Sequence, residues 1–274
     1  YVDASLGVRV ESGQAIDFID TNIGFNSIKR DTTNGGILVS TGGNPALAIL
    51  DNTNLSSTLT DMSLSLTSDV AETSTFSVSS KTFVAGLKDG TATASGYFET
   101  SDPDSDAEYL AQLGGSGVAF SIAPIGYTRG NPTSLGSVVE TSYDRSADIG
   151  GIVSVAVAFQ FDGDSFNGKS MVAPAAFTTT STETSVDFGA AGTNGGGATL
   201  HVLAASGSSP TLDAKIQTSA DDASFSDYIT FTQKTAVGSE LKTSASNPAR
   251  YARAVLTIGG GSPSFTVAVS FAQG

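Results

Sequence analysis

Gly151-Ile152-Val153-Ser154-Val155-Ala156-Val157-Ala158-Phe159-Gln160-Phe161 decides the fold class of this chain. Ile152, Ser154, Ala156, Ala158 and Gln160 fall on one face of an extended backbone. Val153, Val155, Val157, Phe159 and Phe161 fall on the other. A period of two with one apolar side is the pattern of a half-buried β-strand.

The same grammar extends in both directions. Residues 58–67, TLTDMSLSLT, alternate from Met62 onward, and residues 91–97, TATASGY, are small and β-prone. Further strands are expected at 118–127, 135–144, 198–204, 213–218, 228–232, 251–258 and 264–271. Turn-forming words separate them, among them Ser206-Gly207-Ser208-Ser209-Pro210, Ala220-Asp221-Asp222 and Gly259-Gly260-Gly261-Ser262-Pro263. Many short strands at that spacing predict an all-β sandwich or barrel. One helix interrupts them. Residues 101–114 carry Ser101 and Asp102 as cap residues, Pro103 early, acids in the first turn and Gly114 as a stop. Its expected apolar stripe is Ala107, Leu110 and Leu113.

The 274 residues hold 27 acids, 13 bases, one histidine, no cysteine and no tryptophan, for a net charge of −14. That length buries a real core, and the absent cysteines exclude disulfides, thiolate metal sites and cysteine nucleophiles. Apolar runs are far shorter than the ~18 residues a membrane helix needs, so membrane insertion is not expected. The charge is unevenly spread. Residues 47–165 carry 15 acids against 4 bases, whereas 166–274 carry 7 against 6 and 1–46 carry 5 against 3. A polyanion binder would show a basic stripe instead.

Three apparent chemical motifs dissolve on inspection. Gly163-Asp164-Ser165-Phe166-Asn167-Gly168-Lys169-Ser170 matches a phosphate-loop pattern after a strand, but Pro174 and Thr178–Thr180 follow where a helix should open. Asp102, Asp104 and Asp106 space like the start of a calcium loop, yet Ala107 and Leu113 occupy the positions that need Gly and Glu. A Ser–His–Asp site would have to use His201, which sits in a strand with no serine elbow in the chain. Neither catalytic residues, nor a metal site, nor a cofactor are expected.

Several words have a family likeness. Residues 55–66 (LSSTLTDMSLSL), 72–76 (ETSTF) and Lys81-Thr82-Phe83-Val84-Ala85-Gly86-Leu87-Lys88-Asp89-Gly90 are followed by a strand through Tyr97, the helix and the strands to 161. Over roughly 51–165 this resembles the major tail tube protein of long-tailed, non-contractile phages. Leu200-His201-Val202, residues 215–222 (KIQTSADD) and 250–254 (RYARA) resemble the extra β domain appended to some of those proteins. The resemblance implies a tail-tube-type β-sandwich with one flanking helix and a second, C-terminal β-sandwich. The domain map is then an N-terminal arm or extra strands at 1–46, a tube domain at 47–165, a linker at 166–197 and the appended domain at 198–274.

It further implies a virion tail protein whose hexameric rings stack into a tube, with partners in the tape measure, tail terminator and tail tip proteins. Double-stranded DNA would pass through without specific binding. The loop between the two strands that flank residues 69–84 would reach a neighbouring copy, with Thr73, Phe76, Val78, Lys81, Phe83 and Val84 as contact candidates. Asp61, Asp89, Glu99, Glu140 and Asp144 are the candidates for acids lining the channel, where a wall without Lys/Arg clusters avoids the counterion-release term that makes DNA adhere. A capsid decoration protein would share the acidity and β content but not the stacked rings. A secreted adhesin or carbohydrate-binding module would need an export signal and aromatic platforms.

Overall fold

The computed structural model describes residues 27–30, 37–40, 48–57, 59–74, 79–98, 103–147 and 153–274. Two compact units divide the chain, Tyr1–Pro45 and Ala46–Gly274. In the first, β1 (Ser27–Arg30) and β2 (Ile37–Ser40) form an antiparallel pair.

The second unit runs β3 (Ala48–Leu50), β4 (Thr53–Asn54), a 3-10 turn (Leu55–Ser57), β5 (Leu59–Glu72), β6 (Phe83–Tyr97), α1 (Pro103–Gln112), β7 (Val118–Ile122), β8 (Pro132–Ser146) and β9 (Ser154–Phe161). It continues through β10 (Phe166–Phe177), β11 (Ser181–Thr182), β12 (Val186–Asp187), β13 (Gly196–Ser219), β14 (Ser226–Thr230), β15 (Gly238–Ser244) and β16 (Tyr251–Gln273). The fold is all-β.

Its first half is a curled antiparallel sheet in the order β5-β6-β9-β8-β7-β3-β4. Ala92 and Ala94 of β6, Val157, Phe159 and Phe161 of β9, Phe120 and Ile122 of β7 and Leu50 of β3 fill the inside of the curl. Burying one such large apolar side chain is worth about 1.5–3 kcal/mol. The apolar face of 151–161 is therefore the core face, as its alternation predicts.

Helix α1 closes this curl, but not through the expected stripe. Leu110 and Leu113 are exposed, and Tyr109 is the residue it buries. The Tyr109 ring lies 5.4 Å from that of Tyr143 on β8, whose hydroxyl donates to Asp106, and Arg145 Nη2 pairs with Asp106 at 2.7 Å. An aromatic stack and a polar clamp outweigh two leucines here. Gly114 ends the helix at φ 68°, as expected of a left-handed cap.

The second half departs from the expected strand list. Residues 198–204 and 213–218 belong to one strand, β13, and 251–258 and 264–271 to another, β16. Their two turn-like words face each other in the ribbon, with Ser206 opposite Ser264, Ser208 opposite Gly261 and Thr211 opposite Gly259. Positive φ at Gly207, Ser209, Gly260 and Ser262 bends both strands together rather than reversing either. The ribbon thus folds over itself into a β-sandwich, with Leu200, Val202, Val267 and Phe271 packed with Leu212, Ile216, Ala254 and Leu256.

The stretch 166–197, expected as a linker, begins with a twelve-residue strand. β10 pairs with β8 from Phe166↔Leu135 to Lys169↔Pro132 and with β16 from Lys169↔Phe271 to Phe177↔Phe265. Glycine, serine and threonine suggested flexibility, but Met171 and Val172 are buried in the sandwich core. Pro174 lies within a register shift, where its missing N–H removes no ladder bond. Ala46–Gly274 form a single compact unit.

Candidate functional site

Beyond Gly90, β5 and β6 leave the body of the protein. β6 pairs with β9 only from Thr91 to Tyr97, whereas its pairing with β5 runs on from Leu66↔Gly90 to Glu72↔Phe83. Gly90 marks the exit because a Cβ there would meet Leu66 Cδ2 at 2.9 Å and a Phe161 ring carbon at 3.0 Å. What projects is a two-stranded ribbon whose described residues from Ser65 to Ser74 and from Ser79 to Asp89 are all exposed.

Its composition conflicts with that exposure. Leu87 is 82% exposed, Val70 64%, Val84 57% and Phe83 54%. An isolated ribbon of two strands is marginal in water, and clustered exposed apolar side chains mark a surface that another molecule covers. Thr73 and Lys81 lie near its far end, where Thr73 N donates to Thr82 O at 2.8 Å and Lys81 Nζ pairs with Glu72 at 2.9 Å. Of the contact candidates, Thr73, Lys81, Phe83 and Val84 therefore stand on the ribbon, while Phe76 and Val78 lie outside the described residues. The outer edge of β5, along all 14 residues, has no strand beside it among the described residues.

At the root of the ribbon the sheet presents a second uncovered surface. Register pairing lines its side chains up in rows across four strands. One row reads Asp61, Ser95, Ala156, Asp144, the next Ser63, Thr93, Ala158, Ser142, and the next Ser65, Thr91, Gln160, Val139. Asp89 continues the face, held by Gly90 N at 2.7 Å and by the Gln160 side-chain amide. Apart from Gln160 and Val139, these rows contain small, hydroxyl-bearing and acidic side chains, and among the described residues they hold no Lys or Arg.

Asp61, Asp89 and Asp144 thus share one open face. Glu99 lies outside the described residues. Glu140 does not join them. It is 1% exposed, opposite Phe159 on the core face, because Thr141 is an extra residue in β8. That bulge between Glu140 and Ser142 reverses the alternation, so residues four apart point to opposite sides. Neither Glu140 oxygen has a hydrogen-bond partner. Burial, reinforced by the charge of Glu108, pushes its carboxyl up to about 8, so it is protonated at neutral pH.

The remaining concentration of polar groups lies deep inside. His201 Nδ1 is 2.7 Å from the carbonyl oxygen of Asp51, which can only accept, so Nδ1 carries the proton. Nε2 must then accept from Ser121 Oγ at 2.8 Å, and Ser121 accepts in turn from Thr199 Oγ1 at 2.8 Å. A serine does meet the lone histidine. Yet Ser121, Thr199 and His201 are all fully buried, and the third partner is a backbone carbonyl rather than a carboxylate. Burial holds the imidazole down at about 4, against the weaker pull of Asp51, so it stays neutral. The group is a sealed pin between β7, the Asp51 turn and β13, with no path for a substrate.

The phosphate-loop mimic is equally structural. Its glycine at 168 is required because a Cβ would lie 2.2 Å from Phe271 O, and Lys169 donates to Asp187 O at 2.7 Å. Asp221 is an ordinary turn acid, accepting from Ala223 N and Ser224 N. No group of metal-ligating side chains occurs among the described residues.

No family model and no curated protein matches the chain. Among solved structures, a chain from the virion of a native gene transfer agent particle is similar at 17% identity and a TM-score of 0.38, over 46% of this chain and 97% of that one. A chain from the tail of an empty gene transfer agent particle is similar at 17% identity and a TM-score of 0.34, over 50% and 91%. SPP1 Dit, a hub protein of the adsorption apparatus of phages that infect Gram-positive bacteria, is similar at 10% identity and a TM-score of 0.34, over 83% and 98%. These distant likenesses carry no functional argument.

Proposed function

We propose that this chain is a structural subunit of a phage tail, located in the virion, whose copies form rings that stack into a tube for DNA passage. Support comes first from the resemblance of residues 51–165 to major tail tube proteins. The observation that carries the reading is an incomplete sheet: a four-stranded face left bare, bounded by the unpaired β5 edge and prolonged by an apolar ribbon. A self-sufficient monomer gains nothing from such a device and risks irregular aggregation. A ring of copies completes it, each ribbon and edge covered by a neighbour.

In that ring the rows from Asp61 to Asp144 face the channel. Duplex DNA binds non-specifically when Lys and Arg neutralise its phosphates and release counterions. A wall of Ser, Thr, Ala and Asp offers no such exchange, so DNA and the tape measure protein slide past. Tail terminator and tail tip proteins meet the two ends of the tube. The role is mechanical and not enzymatic, in keeping with a sealed His201.

Negative-stain microscopy with mass photometry of the purified protein tests the reading. Rings or tubes are expected, and they disappear when Phe83 and Leu87 are both changed to Asp. A population of discrete monomers or trimers at high concentration contradicts it.

A further inference from the structure

One feature at the edge of the buried seam lies outside any assembly role. Asp51, in the β3–β4 turn, is held at φ 47°, a left-handed conformation uncommon for a residue with a side chain. Three contacts keep it there. Its N–H donates to Ala119 O at 2.9 Å, its carbonyl accepts from His201 Nδ1 at 2.7 Å, and its carboxylate accepts from Ser239 Oγ at 2.6 Å. Two of these partners, on β13 and β15, belong to the C-terminal sandwich, so the turn is the point at which that sandwich grips the curled sheet.

The grip depends on a neutral imidazole. With Nδ1–H committed to a carbonyl and Nε2 accepting from Ser121, a second proton on Nε2 removes an acceptor and puts a full charge on a ring that is wholly buried. The ionisable surroundings offer little relief. Among the described residues Asp51 is the acid whose backbone meets the ring, and Tyr127 in the same seam is buried and neutral. On β15, Glu240 is engaged by Lys234 and Lys242, while β16 presents Ala268 opposite His201 and β7 presents only Ser121.

We propose that His201 is an acid-sensitive latch, whose protonation releases the Asp51 turn and loosens the C-terminal sandwich from the curled sheet. The device belongs to the subunit itself and stands whether or not copies assemble. Its sign is fixed by where the proton goes. The unfolded chain takes it up near pH 6.5, and the folded chain resists until far lower, so stability is full above 6.5 and drains away as pH falls. Glu140 has the opposite sense between pH 4.5 and 8 and masks the effect, so the test is made in Glu140→Gln.

In that background, urea unfolding between pH 6.5 and 4.5 reads the latch directly. The folding equilibrium constant should fall by about tenfold per pH unit, the slope of one proton. Adding His201→Gln should flatten the curve over the same interval. Should that double variant fail to fold, a second measurement on the unmodified protein decides. Deuterium exchange at C2 of the single imidazole, followed by mass spectrometry, should give no inflection between pH 7.5 and 5. Amide exchange in residues 48–56 and 236–242 should accelerate at about pH 4 before the rest of the unit opens. An imidazole that titrates near 6.5 in the folded protein, or an acid slope that survives His201→Gln, overturns the proposal.

Discussion

The projecting ribbon and the His201 seam invert the usual placement of side chains in opposite ways. Leu87, Val70, Val84 and Phe83 stand in solvent, while Ser121, Thr199 and His201 are wholly buried between layers. Exposed apolar side chains signal a covering that the single chain lacks. Buried polar ones with every bond made signal a contact whose register is already fixed. Together they separate what the chain completes by itself from what it leaves uncovered. The junction between the curled sheet and the C-terminal sandwich falls on the completed side.

The largest test attacks the ribbon. Phe83 and Leu87, changed together to Asp, should abolish assembly while leaving the subunit folded, because two large side chains lose about 1.5–3 kcal/mol of burial each. That corresponds to roughly a hundredfold or greater loss of association, readable by mass photometry against an unchanged circular dichroism melt. A melt that collapses as well would mean the ribbon is internal to the fold.

The seam should show the converse. His201→Ala leaves Ser121 and the Asp51 carbonyl without their partner and opens a cavity, costing about 3 kcal/mol of subunit stability at pH 7.5 in urea unfolding. Its effect on ring formation, per folded molecule, should be small.

Glu140→Gln sharpens the contrast between buried and open acids. A carboxyl whose folded value is raised to about 8 contributes its stability below its unfolded value and loses it as pH climbs. The variant should therefore match the parent near pH 4.5 and exceed it by about 4 kcal/mol at pH 8. No difference at pH 8 would mean Glu140 is ionised and partnered.

Least disruptive to the fold is charge reversal on the open face. Asp61→Lys with Asp144→Lys should change stability by no more than about 0.5 kcal/mol. Tubes of this variant should retain duplex DNA in a salt-dependent way in a filter or co-sedimentation assay. Indifference to DNA would remove the face from the channel.

Much of this was legible in the chain before its structure. The alternation in 151–161 identifies the core face of β9, Gly114 marks the end of α1, and the base-poor stretch 47–165 holds the uncovered sheet. The departures share one physical cause: a residue's local preference says which backbone angles it tolerates, not which partner supplies the other half of the ladder. Thr141 carries no mark of a bulge, yet that one residue sends Glu140 inward while Asp144 stays out. Gly207 and Gly260 signal turns and deliver paired bends, because each meets the other across a ribbon distant in sequence. Leu110 and Leu113 read as the buried stripe of α1, and only the Tyr109–Tyr143 stack explains why they are not. Ser121 lies 80 residues from His201, and no spacing rule links a hydroxyl in β7 to an imidazole in β13.

The central claim, that the subunit is a part-built sheet finished by its own copies, is met most directly by a cryo-EM reconstruction of the assembled protein. The account predicts six copies per ring, each β5 edge and ribbon covered by a neighbour, and Asp61, Asp89 and Asp144 turned toward the axis. A reconstruction with the ribbon free in solvent, or with that face on the outside, would contradict it.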